Sequence, residues 1–107
     1  MTTPTPAPPR ALAFESSRDL DALYKRLNEA GPWLWRETDS DTRGGYLTAR
    51  PASGVTLRIF PDDSHWVIQI SVRADAQMSR DDVDRVLNGH IFPAIGAGNI
   101  RPTDTVY

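Results

Sequence analysis

The sequence predicts an α+β fold: a single small domain with the element order α-β-β-β-β-α, a four-stranded antiparallel meander and both helices packed on one face. Two stretches with helical periodicity enclose a region in which apolar and polar residues alternate. The turns within that region are short, and short connections join antiparallel neighbours. A chain of 107 residues has room for one such domain.

The first helix is predicted over residues 17–30. Apolar side chains recur at the i, i+3, i+4 and i+7 positions from Leu20 to Leu27, which places them on one stripe. One of the two adjacent serines before the stripe is expected to cap its start. Gly31 and Pro32 are expected to end it, because glycine accepts the left-handed conformation and proline cannot continue the helix.

Four strands are predicted from a change of period to two. Each is rich in β-branched or aromatic residues, and Gly, Pro, Asp and Ser lie between them as turn formers. The predicted strands are 33–37, 46–50, 55–60 and 66–73.

Strand alternation divides these side chains between two faces of the sheet. We expect the apolar positions of the last two strands to face the helices, which leaves the opposite parity on an open face. Five residues of that open face are candidate binding residues, because tyrosine and arginine are enriched at interface hot spots: Tyr46, Arg50, Arg58, Phe60 and Arg73. The alternative is a solvated face whose arginines pair with Glu37 or Asp75.

Trp33 and Trp35 are two positions apart and share a face. If they point inward, they anchor the core against the first helix, as large aromatic side chains commonly do. If Leu34 is the inward residue instead, both indoles join the open face. The sequence leaves this choice undecided.

The second helix is predicted to begin after Ser79, which is a natural N-cap. Asp81 and Asp82 then lie in the first turn, where the helix dipole favours negative charge. The apolar residues between Ile91 and Ile100 are expected to pack back on the domain.

Residues 1–13 are predicted to be a disordered tail rich in proline and threonine, and residues 14–107 to form the domain. The start of the chain lacks the basic and apolar segments of a secretory signal. No stretch approaches the length of an apolar membrane span either. We therefore expect a cytoplasmic protein with no membrane partner.

Motifs for metal or cofactor chemistry are weak, so we expect no metal and no cofactor. The absence of cysteine excludes disulfides and thiolate sites. The segment that begins at Asp39 resembles a calcium loop, but Arg43 and Arg50 occupy positions that need oxygen ligands. The segment Gly96–Gly98 lacks the glycine spacing of a dinucleotide site. His65 follows acidic and hydroxyl residues in a tight turn, where neighbours point in different directions and form no catalytic relay.

These exclusions favour a small non-enzymatic protein-binding module that uses the open sheet face, as an adaptor, a partner chaperone or an inhibitor of the immunity-protein type. A homodimer through that face is a further arrangement. The alternative is a nucleic-acid-binding module in which Tyr46 and Phe60 stack on bases and Arg50, Arg58 and Arg73 contact phosphates. A formal charge of −2 disfavours this alternative. A small hydrolase that uses His65 is the third class.

Overall fold

The fold is α+β, with two helices and a six-stranded antiparallel sheet where the sequence predicts four strands. The computed structural model describes residues 10–40 and 44–104. In chain order the main elements are β1 (Arg10–Glu15), α1 (Leu20–Ala30), β2 (Trp35–Ser40), β3 (Gly44–Ala49), β4 (Val55–Asp62), β5 (His65–Val72), α2 (Arg80–Val86) and β6 (Gly98–Thr103). The strands lie in the order β2-β3-β4-β5-β1-β6, so that β2 to β5 are sequential neighbours.

Two strands were not predicted, and they come from the two ends of the described chain. Strand β1 lies between β5 and β6 and pairs with both. The prediction of a disordered tail over 1–13 is therefore wrong for residues 10–13, while residues 1–9 lie outside the described residues. The assignment failed because Arg10–Glu15 is a short segment with little β preference, and its strand conformation depends on pairing with distant partners.

One parity of the strands joins the helices in the main core. Leu57, Ile59 and Ile68 are fully buried there. Leu23 and Leu27 of α1 and the buried side chains that follow Ser79 belong to the same cluster. Burial of this apolar area is the main force that holds helices and sheet together.

Both tryptophans are core residues. Trp33 is 6% exposed and Trp35 is 3% exposed, and both pack in the main cluster. The side chain of Asn28 holds the backbone of Trp35 from the α1 side, since its Oδ1 accepts from the Trp35 N–H at 2.8 Å. Its Nδ2 donates to the Trp35 carbonyl at 3.3 Å. The inward alternative is thus the one observed, and Leu34 points away from the core with 82% of its surface exposed.

The helix ends follow the expected capping chemistry with one difference. The Asp19 side chain caps α1 by accepting from the Ala22 N–H at 2.9 Å. The predicted serine caps are wrong, and Ser16 instead donates to the Ile95 carbonyl at 2.8 Å. Ser79 caps α2 as predicted, accepting from the Asp82 N–H at 3.1 Å.

The segment after α2 continues as one π-helical turn, Leu87–Ile91, and one α-helical turn, Phe92–Ala94. Ile91, Phe92 and Ile95 are buried as expected from their apolar character. The Phe92 ring lies 5.9 Å from the Phe14 ring of β1, which ties this segment to the strand that was not predicted. Ile100 differs from the expectation, because it lies on β6 with 42% of its surface exposed.

Candidate functional site

The side chains of opposite parity to the core form the outer face of the sheet. The strand register places Thr48 of β3 opposite both Arg36 of β2 and Arg58 of β4. Arg58 in turn lies opposite Gln69 of β5. These four residues form one row across the sheet, so the predicted parity of β4 and β5 is observed.

The two predicted aromatic residues of this face pack in or against a second, smaller apolar cluster. Phe60 is 4% exposed and packs with Ala11 and Val67 in a second, smaller apolar cluster. Tyr46 is half-buried against the same cluster. Phe60 therefore packs beneath the surface and offers little ring area to a ligand.

Four arginines of the outer face, which we name the arginine patch, are distributed one to each strand of the meander. Arg36 lies on β2, Arg50 follows β3, Arg58 lies on β4 and Arg73 follows β5. Arg36 is absent from the sequence-predicted set. The signal for it was available, because inward tryptophans at 33 and 35 place the residue at 36 on the outer face by the period of two.

The first concavity at the patch is a cleft of about 820 Å³ beside the edge strand β2. Arg36, Arg50 and Arg58 line it together with the exposed Leu34. Tyr24 and Asn28 of α1 also contribute to its wall. Glu37 is the one carboxylate among the described residues that line it. The cleft therefore combines a positive wall with an exposed apolar side chain.

The second concavity is a hollow of about 680 Å³ at the start of β4. Arg50, Arg58 and Arg73 line it, and no described carboxylate does. Three hydroxyl side chains complete its polar lining, from Ser53, Thr56 and Ser71. Arg50 and Arg58 are shared with the cleft, so the two concavities form one continuous surface.

Backbone hydrogen bonds fix the rim of the hollow. The Arg73 N–H donates to the Gly54 carbonyl at 2.8 Å, and the Gln77 N–H donates to the Ser53 carbonyl at 3.1 Å. Gly54 has a φ of 83°, and a Cβ placed there would lie 3.0 Å from Ala76. Glycine is therefore required where the two loops touch, and their contact holds Arg50 and Arg73 on either side of the hollow.

The charge of the patch is only partly neutralised within the protein. The Arg73 Nη2 lies 3.1 Å from the Asp75 Oδ2, but both side chains are more than 70% exposed, at 71% and 72%. An ion pair with that exposure is weak. The guanidinium groups of Arg36 and Arg50 make no ion pair or hydrogen bond with any part of the chain that the structure describes. Charge is available here for an external anion.

His65 lies in a different place from the patch. Its Nε2 is 3.3 Å from the Asp62 Oδ2 across the turn that joins β4 to β5. Neither residue lines the cleft or the hollow.

The described ranges contain neither a candidate metal cluster nor a membrane-spanning helix. No group of three or more His, Asp or Glu side chains in the described ranges could hold a metal ion. The longest helix there, α1, has 11 residues and is about 16 Å long, and none of the described helices could cross a bilayer.

Comparisons with protein-family models, with curated proteins and with solved structures found no match to this chain.

Proposed function

We propose that this chain is a small, non-enzymatic, cytoplasmic protein-binding module, an adaptor, partner chaperone or inhibitor, that contacts its partner through the outer face of strands β2 to β5. The arginine patch is the observation that carries the proposal. Two of its four guanidinium groups have no partner among the described residues, although the whole chain has a formal charge of −2. Positive charge concentrated on one face of a negatively charged protein is the pattern that selects and orients a complementary partner.

The contact chemistry of the face supports a protein partner. Arginine and exposed leucine line the same cleft, because Leu34 directly precedes the edge strand β2 and is two positions from Arg36. Arginine is enriched at interfaces and binds carboxylates with two hydrogen bonds. An exposed leucine beside it adds apolar area that a protein side chain can cover.

The proposal also requires that helices cover the opposite face and leave this one open. The shared main core supports this arrangement, since Leu27 of α1 and Val83 of α2 both belong to the cluster that contains Leu57 and Ile68. The outer face has its own small cluster, built by strand residues around Phe60 and Val67. We accordingly expect the partner to approach from the side away from the helices.

Nucleic acid is the competing ligand for the same arginines. Stacking on single-stranded bases needs exposed aromatic rings, and Phe60 is only 4% exposed. The negative net charge also weakens attraction to a polyanion. Two results together would favour this competing function. The protein would bind a single-stranded oligonucleotide more tightly than any protein, and that binding would weaken steeply as the salt concentration rises.

The test compares two charge reversals in affinity capture from the native host with quantitative mass spectrometry. Arg50→Glu reverses the shared residue of the patch, and Arg18→Glu is the matched control, because Arg18 is exposed and lines neither concavity. We expect at least one protein to be retained by the wild type and the control and depleted about 30-fold by Arg50→Glu, as for a hot-spot residue. Identical retention by all three baits would contradict the proposal, provided circular dichroism shows equal folding. Self-association detected by sedimentation, and abolished by Arg50→Glu, would identify a second copy as the partner.

A further inference from the structure

We infer that the arginine patch binds an extended acidic segment of the partner protein, in which carboxylates on alternate residues contact successive arginines. This inference rests on the proposed protein-binding function and specifies the chemistry of the partner. It follows from the spacing of the arginines, the polar groups between them and the construction of the hollow.

The strand register sets the spacing of the arginines. Arg36 and Arg58 lie opposite Thr48 on its two sides, so their backbones are about two strand separations, or ~10 Å, apart. Arg50 is two residues beyond Thr48, which places it about 8 Å from each of them. In an extended chain, residues i and i+2 point to the same side at about 7 Å. Alternate acidic residues therefore match the spacing of Arg36, Arg50 and Arg58 within the reach of their side chains.

Hydroxyl groups fill the positions between the arginines. Thr48 lies between Arg36 and Arg58, and Thr56 lies opposite Ser71 next to Arg58. A hydroxyl can donate to a carboxylate oxygen that a guanidinium leaves unpaired. An acidic segment on this surface would thus find donors both at and between the arginines.

One arginine of the patch already contacts a carboxylate within the protein. The Asp75 carboxylate sits 3.1 Å from the Arg73 guanidinium at the rim of the hollow. Because both groups are largely exposed, a partner carboxylate can replace Asp75 at little cost. The backbone hydrogen bond between Gly54 and Arg73 joins the loop after β3 to the loop after β5 and keeps the rim in place before the ligand arrives.

A single phosphate fits the patch less well than a row of carboxylates. The four arginines are spread over four strands and two concavities, so a single phosphate in the hollow would leave Arg36, which lines only the cleft, without a contact. Base stacking would have to use Tyr46, since Phe60 is buried. The exposed Leu34 at one end of the patch favours a segment that also carries an apolar side chain.

The test measures fluorescence anisotropy of a labelled peptide of about 12 residues in which glutamate alternates with threonine, a length that crosses the patch with residues to spare. The matched peptide has glutamine in place of glutamate. We expect the acidic peptide to bind the full-length protein and the glutamine peptide not to bind. Arg50→Glu and Arg73→Glu should each weaken binding about tenfold, whereas Arg18→Glu should change it less than about twofold.

Three outcomes would overturn the inference. The first is equal binding of the two peptides, and the second is an equal effect of Arg50→Glu and Arg18→Glu on binding. The third is displacement of the labelled acidic peptide by inorganic phosphate or by an oligonucleotide at a concentration far below the concentration of unlabelled acidic peptide that is needed for the same displacement. Loss of the cellular partner by Arg50→Glu without binding of the acidic peptide would reject this inference and leave the proposed function standing. Peptide binding together with unchanged retention of all cellular proteins would reject the proposed function and with it the physiological meaning of the inference.

Discussion

The two halves of the sheet are built in different ways. Strands β2 to β5 follow one another in sequence and are joined by short turns. Strands β1 and β6 come from opposite ends of the described chain and pair with each other at the far side of β5. The first half can form by local hairpin closure, whereas the second requires that distant segments meet in the folded protein.

The same division separates two kinds of outer surface. On the meander half, the outer face carries the arginine patch with hydroxyl side chains between the arginines. On the terminal half, Ala11 and Ala13 of β1 are 5% and 2% exposed, and Val67 beside them is fully buried. The difference teaches that the outer side chains of β1 are buried, whereas the arginine patch, the proposed binding surface, lies on the strands that follow one another in sequence.

Loss of β1 should have the largest effect. Deletion of residues 1–13 removes most of β1, which pairs on both sides. Strands β5 and β6 would lose their backbone partners, and Phe14, which contacts Phe92, would lose the strand that positions it. We expect loss of a cooperative thermal transition by circular dichroism.

A point variant makes the same test without shortening the chain. Ala13→Pro removes one backbone N–H from β1, which pairs with β5 on one side and β6 on the other. Ala13→Ser is its control because serine keeps that donor. Cooperative unfolding of the deletion variant at the wild-type temperature would show that the two halves are energetically independent.

The meander core should be the next most sensitive region. Leu57→Ala is expected to lower the free energy of unfolding by about 2–5 kcal/mol, because Leu57 of β4 is fully buried and its truncation leaves a cavity. Urea denaturation measures the change. Thr56→Ala is the matched control on the opposite face of the same strand, and equal losses for both variants would contradict the assigned parity.

A smaller effect is expected where the terminal half meets α2. The Arg10 guanidinium makes two hydrogen bonds to the Asp84 carboxylate, and the two side chains are 35% and 34% exposed. Asp84→Asn should cost about 1 kcal/mol by urea denaturation, since two-point arginine–carboxylate pairs exceed ordinary surface pairs but remain partly screened here. Asp81→Asn on the exposed side of α2 is the control, and a loss as large for it would show that helix electrostatics, and not the link to β1, is responsible.

The smallest stability change is expected in the arginine patch. Arg50→Glu should alter the free energy of unfolding by less than about 0.5 kcal/mol, because the side chain is exposed and has no partner in the described residues. Thermal denaturation of Arg50→Glu and of the Arg18→Glu control checks this expectation. A large loss of stability would mean that Arg50 has a structural role, and its effect on binding could then not be assigned to the patch.

The elements that the sequence predicts are those with local signals. The period of α1, the Ser79 cap and the strands between short turns all depend on residues within a few positions of one another. The outer position of Arg58 and Arg73 follows from the same period of two. The burial of Phe60 does not, because it requires Ala11 and Val67 from two other strands to pack around the ring.

By itself, then, the amino-acid sequence determined the α+β class, the positions of the two helices and the alternation that places arginines on one face of the meander. Only the tertiary structure decided that Arg10–Glu15 and Gly98–Thr103 are strands, since the first is rich in alanine and the second contains glycine and proline. Their conformation is stabilised by hydrogen bonds and apolar contacts with segments far along the chain. Such contacts leave no periodic signal in either segment alone, because their energy appears only when both ends of the chain are in place.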